Sequence, residues 1–366
     1  MGVSDIILYV MLFFMVLGGI DFFTGKRFGL GIKYEEGFMA MGALTMNMAG
    51  AVCIAPVLGK WLQPVLAPVF EVFGASPAMF ATTILACDMG GYPLAVSLAA
   101  GDPNAANFAG IILGSMMGPT IVFSIPVGLG IIQLEDRPFL GKGILIGLCT
   151  IPLGCLAGGA VAGYNFIWMV KNLIPVIIFA VVVALGLVFV QKTMITIFLW
   201  FGRFVVAFLT LALICAGIEA ASGGAITIIK GMDPIAEAFN VVGSIAVVLA
   251  GAFVLVHLLT KFLGGPLTKV GGLLGMNKDA AAGMVATLAN NIAMFQIMKD
   301  MDNRGKVINV AFAVSAAFVF GDHLGYVGGV NKDMIFAMVI GKLVGGITAV
   351  IVACLITPKN EQLAAA

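Results

Sequence analysis

Charge is what this 366-residue chain has least of. Lysine and arginine number 19, aspartate and glutamate 18 and histidine 2, so 10% of residues are charged while 61% are hydrophobic. Soluble domains carry about 25% charged and roughly 45–50% apolar residues, so a water-soluble fold is excluded. The net charge of +1 leaves no basic field for nucleic acid. Paired cysteines are also missing. Cys53, Cys87, Cys149, Cys155, Cys215 and Cys354 lie in or beside apolar blocks, with no short spacing that suggests a disulfide framework or a metal site, and they read as packing residues. There is no Walker sequence, nucleophile elbow or zinc-ligand pattern. An enzyme is therefore not expected, nor a cofactor or bound metal, and transport has to run downhill or on an ion gradient. Met1 to Ile20 opens acidic, lacks a small-residue cleavage site and reads as a first membrane helix.

What is present is a series of apolar blocks, each near the ~20 residues that a membrane helix needs. They predict an all-α polytopic membrane protein, a single transport domain over 1–366, with ten or eleven transmembrane helices. These are placed at about 4–21, 36–58, 76–100, 107–133, 143–163, 166–190, 193–218, 236–258, 279–299, 307–329 and 334–357. A long first loop is expected over 22–35, and 60–73 and 261–274 read as interfacial segments opened by Trp61 and Phe262. Forty-eight glycines allow close helix approach and also helix breaks, so broken or re-entrant segments belong to the expectation.

A shift of 201 positions pairs Glu36 with Glu237, Phe38 with Phe239, Gly42 with Gly243, Gly50 with Gly251 and Lys60 with Lys261. This predicts two internal structural repeats, about 36–130 and 237–330. With a drift of two residues the polar stretches also fall in comparable places: Cys87-Asp88 against Asn290-Asn291, and Gly118-Pro119-Thr120 against Gly321-Asp322-His323. Discontinuous helices in two related halves are the usual setting of a midplane transport site. Basic loop residues do not alternate cleanly, so orientation, and whether the repeats are inverted, stay open.

An ionisable group within a membrane segment costs about 2.5–3.5 kcal/mol on insertion scales and usually faces a cavity or a partner. Asp88 lies in Leu85-Ala86-Cys87-Asp88-Met89-Gly90-Gly91-Tyr92-Pro93, where glycines and proline break the helix. It either binds a cation beside freed carbonyls or caps the second half-helix. Asn290 and Asn291 offer side-chain carbonyls and amides, for substrate or as interhelical glue. Asp322 and His323 are bracketed by Gly321 and Gly325; Asp322 suits a cation and His323 a proton or gating role, or the two hold the break together. Ser115, Thr120 and Ser124 surround Pro119 and with Thr287 line a polar path, unless they bond back to their own helices. Glu36 and Glu237 read as first-turn acids, and Arg203, Lys171 and Lys342 as snorkelling or interfacial cations.

Several of these runs resemble the EutH family of ethanolamine utilisation proteins. They are Glu35-Glu36-Gly37-Phe38-Met39-Ala40-Met41-Gly42-Ala43-Leu44, Ala86-Cys87-Asp88-Met89-Gly90-Gly91, Gly114 through Pro126, Ala282 through Asn291, and Gly321-Asp322-His323-Leu324-Gly325. The resemblance covers nearly the whole chain. It implies uptake of ethanolamine across the bacterial cytoplasmic membrane by a multi-pass permease, by facilitated diffusion or cation-coupled alternating access. The alternatives are a carrier of another small amine or nucleoside-like solute, or a membrane-embedded sensor or scaffold. The expected partners are ethanolamine and membrane lipids, with a homo-oligomer left open. A primary ammonium needs acceptors for three N–H donors and its hydroxyl one further partner. Asp88 or Asp322 suits the ammonium, and Thr120, Asn290 or Asn291 the hydroxyl.

Overall fold

A computed structural model describes residues 2–358, whose regular structure is all helical with no strand; Met1 and the tail 359–366 of the expected domain lie outside the described residues. Helices α1 (Val3–Phe23), α2 (Leu30–Leu44) and α3 (Gly50–Glu71) come first. They are followed by α4 (Ala78–Ile84), α5 (Gly91–Leu98), α6 (Pro103–Asn107), α7 (Met117–Pro119) and α8 (Ile125–Ile131). Then come α9 (Arg137–Val161), α10 (Phe166–Phe189), α11 (Gln191–Ala221) and α12 (Ile235–Leu273). The chain ends with α13 (Lys278–Ala289), α14 (Asn291–Gln296), α15 (Asn303–Ala316), α16 (Asp322–Val330) and α17 (Ile335–Ile356).

Seven helical stretches among the described residues are long and apolar enough to cross a membrane. There are eight if the pair Pro103–Leu113 and Met117–Ile131, bent by 40°, counts as one span. The expected ten or eleven helices are therefore not found as full-length spans. The stretches read as 76–100, 279–299 and 307–329 each fall into two half-length pieces, because residues at their middles leave the helical backbone conformation. Leu85 and Ala86 are extended, Asn290 has φ −157° and ψ 131°, and Ala317 has ψ 142°.

Other boundaries also move. The long first loop shrinks to 24–29, because Asp21 accepts backbone bonds from Phe28 at 3.0 Å and Gly31 at 2.7 Å and so starts α2 early. Glu36 consequently sits beyond the first turn of α2 and pairs with Lys33 at 2.6 Å, whereas Glu237 does lie in the first turn of α12. The segments 60–73 and 261–274 are not separate interfacial helices. They continue α3 and α12 without a break.

Two features place the site. Helices α9 and α17 pack backbone to backbone, since a Cβ on Gly154 would sit 2.6 Å from the Gly341 carbonyl and one on Gly158 2.8 Å from that of Ala337. This is close packing through small residues. Helix α2 lies antiparallel on α12: Gly29 faces His257 and Gly37 meets the backbone of Ala250. Between these two walls stand the half-helices.

Candidate functional site

The breaks in the half-helices face one another in pairs. Backbone groups freed inside a membrane have to find partners within the protein, and here the breaks supply each other. The Cys87 N–H donates to the Gly114 carbonyl at 2.8 Å. Phe318 N–H donates to Thr287 O at 3.1 Å and Phe320 N–H to Leu288 O at 3.0 Å. Such approach requires glycine at both crossings: a Cβ at Gly118 would fall on the Leu85 carbonyl, and one at Gly321 on that of Ala289. Phe318 itself sits at φ +64°, a left-handed conformation uncommon for a bulky residue and frequent at functional sites.

A cavity of about 150 Å³ opens where the crossings meet. Asp88, Asp322 and His323 line it, together with Asn47, Phe123 and Phe318. Two elements far apart in sequence, the turn Cys87–Met89 and the start of α16, thus deliver two carboxylates and an imidazole to one space. Asp88 does not cap the second half-helix, since α5 has Gly90 at its N-cap with no side-chain bond. Asp322 starts α16, where the helix dipole favours a negative charge. His323 Nε2 faces Asp88 Oδ1 at 3.8 Å. The imidazole therefore joins the two halves and does not simply brace its neighbour Asp322. The Phe318 ring lies 5.1 Å from His323 and 5.7 Å from Phe123, giving the acids an aromatic wall.

The other expected site residues divide. Asn290 lines an adjoining cavity of about 450 Å³ with Asp322, Lys33, Glu36 and His257, while its own side-chain oxygen accepts from Ile292 N–H at 2.7 Å and caps α14. Asp322 thus borders both cavities. Asn291 is fully buried and donates to Ser124 Oγ at 2.7 Å, an interhelical contact. Thr120 is buried, its hydroxyl 2.8 Å from Met116 O and 3.2 Å from Val314 O. Ser115 donates to Ile112 O at 3.0 Å and Thr287 to Gly283 O at 2.9 Å. Thr120, Asn291, Ser115, Ser124 and Thr287 do not line the inner cavity. Asn291 with Ser124, and Thr120 with the Val314 carbonyl, tie separate segments together, while Ser115 and Thr287 bond back within their own.

Sequence reasoning missed Asn47, Phe123, Phe318 and Lys342. Asn47 sits in a π-helical turn, Thr45–Ala49, between α2 and α3, a local irregularity common at functional sites. Lys342 is not a snorkelling cation. It is 1% exposed, donates to the Ser115 carbonyl and lies 3.0 Å from His323 Nδ1. A lone lysine in α17 could have been flagged by its distance from both helix ends, but periodicity does not say which face turns inward. Cys87 Sγ, an Asp88 oxygen and a His323 nitrogen all lie within 4.8 Å of one another, so this corner can hold a metal ion.

Comparison with known proteins gives a consistent result. The family described as "Ethanolamine utilisation protein, EutH" matches residues 3–356. A Listeria monocytogenes protein named probable ethanolamine permease EutH is 58% identical over 352 residues, covering 96% of this chain and 94% of that protein. An Escherichia coli protein of the same name is 50% identical over 401 aligned positions, covering 100% and 98%. A Bacillus subtilis protein named YxeR, itself described as uncharacterized, is 46% identical over 99% of this chain and 97% of its own length. No solved structure matches the chain.

Proposed function

The chain belongs to the EutH family of ethanolamine utilisation proteins, and from that premise we propose that it carries protonated ethanolamine across the bacterial cytoplasmic membrane as a multi-pass permease. One observation carries the site: Asp88 and Asp322, on opposite halves of the chain, line the same cavity at the crossings of broken helices. Ethanolamine is mostly a primary ammonium at neutral pH, like lysine, whose pKa is near 10. It presents three N–H donors and one hydroxyl. The carboxylates and the Asn47 side chain suit the donors, the two phenylalanine rings attract the charge, and Asn290 beside Asp322 suits the hydroxyl on its way in.

The two halves read as inverted repeats. The order long helix, broken pair, broken pair, long helix runs from α2–α3 to α9 and again from α12 to α17, and the antiparallel course of α2 and α12 supports the inversion. Not every half-helix pair reads as a crossing: Asn277 at the start of α13 donates to Asp302 at 2.7 Å and to the Asp300 carbonyl at 2.8 Å, just past α14, so this pair reads as a re-entrant hairpin that enters and leaves on one side. A site between such repeats suits alternating access, driven by the substrate gradient or by a coupled cation.

Uptake of labelled ethanolamine into proteoliposomes tests the assignment. A charge-assisted hydrogen bond contributes about 1.5–3 kcal/mol, so Asp88→Asn and Asp322→Asn are each expected to lower uptake efficiency at least about tenfold. Folded variants that transport at the wild-type rate would remove both residues from the site. A carrier of another amine would show stronger competition by that amine, and a sensor would bind ethanolamine without flux.

A further inference from the structure

The buried ions of this protein are balanced in different ways. Lys306 is paired with Asp136 at 2.5 Å, and Arg304 donates to the carbonyls of Leu274, Cys354 and Thr357. Lys342 is fully buried behind the proposed site, its ammonium held by the Ser115 carbonyl and by the imidazole that faces Asp88. A lysine ammonium has no lone pair to offer, so His323 Nδ1 accepts and the imidazole proton sits on Nε2. Nε2 is the nitrogen nearer Asp88, 3.8 Å from its Oδ1, an electrostatic contact longer than a hydrogen bond. Lysine, imidazole and carboxylate form one line from α17 to the cavity.

On the reading that ethanolamine binds between Asp88 and Asp322, we propose that Lys342 sets the net charge of the site and so its selectivity for a singly charged amine. The groups that meet here are two carboxylates, a neutral imidazole, a thiol at Cys87, a phenol at Tyr326 and the Lys342 ammonium. One carboxylate charge is cancelled by the lysine from behind, through His323. A single negative charge is left facing the cavity. A monocation neutralises it. A dication overcharges the site, where interactions between partly desolvated ions are stronger than in bulk water. Lys342 touches no substrate in this scheme. It is a positioning and charge-setting residue that acts through His323.

The probe is 1,2-diaminoethane, which replaces the hydroxyl of ethanolamine by a second amine and is a dication at mildly acid pH. In wild-type proteoliposomes it should compete with labelled ethanolamine at least about tenfold less well than unlabelled ethanolamine, the discrimination that one unit charge within this reach produces. Lys342→Met should shrink that discrimination about tenfold, and Lys342→Arg should leave it in place. A lysine that only packs α17 would lower the amount of folded protein or the maximal rate in every variant without moving the ratio of the two amines. If Lys342→Met does not fold, the wild-type measurement decides by itself: equal competition by the diamine overturns the proposal. Unchanged discrimination in folded Lys342→Met, or an arginine variant that shifts as far as the methionine, overturns it too. None of these outcomes touches the transport reading, which fails only if the wild-type protein does not move ethanolamine.

Discussion

At the residue scale the proposed site combines a carboxylate pair with rings. Phe123 and Phe318 meet edge to face at 5.7 Å and 77°, and both border the cavity with Asp88 and Asp322. A cation held near an aromatic face gains about 0.5–1 kcal/mol when exposed and about 2 or more when desolvated. In this partly open cavity a value between those limits, about 1–2 kcal/mol, corresponds to roughly five- to thirtyfold in affinity. Phe123→Leu keeps an apolar side chain of similar volume and removes the ring. It is expected to raise the half-saturating ethanolamine concentration by about that factor, with little change in maximal rate, whereas Phe123→Tyr should stay near wild type. A concentration series of initial uptake rates reads this directly, and a leucine variant with wild-type half-saturation would assign the wall to packing alone.

At the element scale the crossings carry the architecture. Gly118 and Gly321 let one broken helix rest on the carbonyl of another, and any side chain there has to push backbone, which does not yield as a flexible side chain does. Gly118→Ala and Gly321→Ala are expected to lower stability by about 1–3 kcal/mol or more and to abolish uptake. Gly217→Ala, in the interior of α11 with nothing within 4 Å of the added methyl, should gain about 0.5–1 kcal/mol. Thermal unfolding in detergent compares the three, and a Gly118 or Gly321 variant as stable as wild type would contradict the crossings.

The breaks themselves were legible because glycine, proline and Asn-Asn are poor continuations of a helix, and the acids beside them were legible because charge is so scarce. The partners of the hydroxyls were not. Thr120 and Thr287 bond to carbonyls one turn back, a local choice that leaves no mark in the sequence. The role of Lys342 is hidden for a related reason: hydropathy records that α17 is apolar, not that this position turns toward His323. The span count differs where a hydrophobic run of full length, such as 76–100, hides two half-helices whose break is bonded by a crossing segment.

For the whole molecule, the cavities lie in series. The one lined by Lys33, Glu36, His257, Asn290 and Asp322 opens at the α2 end. Another, of about 350 Å³, is lined by Tyr92, Ser97, Asp233 and Tyr326. Asp233 precedes α12 and His257 is 22 residues past the Ile235 start of that helix. At 1.5 Å per residue this is about 33 Å, the thickness of the hydrocarbon core, ~30 Å, so the two outer cavities belong to opposite faces of the membrane. The first shares Asp322 with the inner cavity. On the other side Tyr92 and Tyr326 meet edge to face at 6.3 Å, and Asn107 accepts from the Tyr92 hydroxyl at 3.3 Å and from Asn331 at 3.0 Å, closing the way four residues beyond each acid. On the proposed transport reading, this arrangement corresponds to a state open toward Asp322 and shut at the tyrosine pair. On a background in which the six native cysteines are replaced, Asn290→Cys and Ser97→Cys should react with a membrane-impermeant maleimide from opposite faces of oriented vesicles. Ethanolamine should slow the reaction at 290, because that position borders the space leading to Asp322. Labelling of both positions from the same face would mean that the cavities do not form a path across the membrane, and the permeation route would have to be sought elsewhere in the fold.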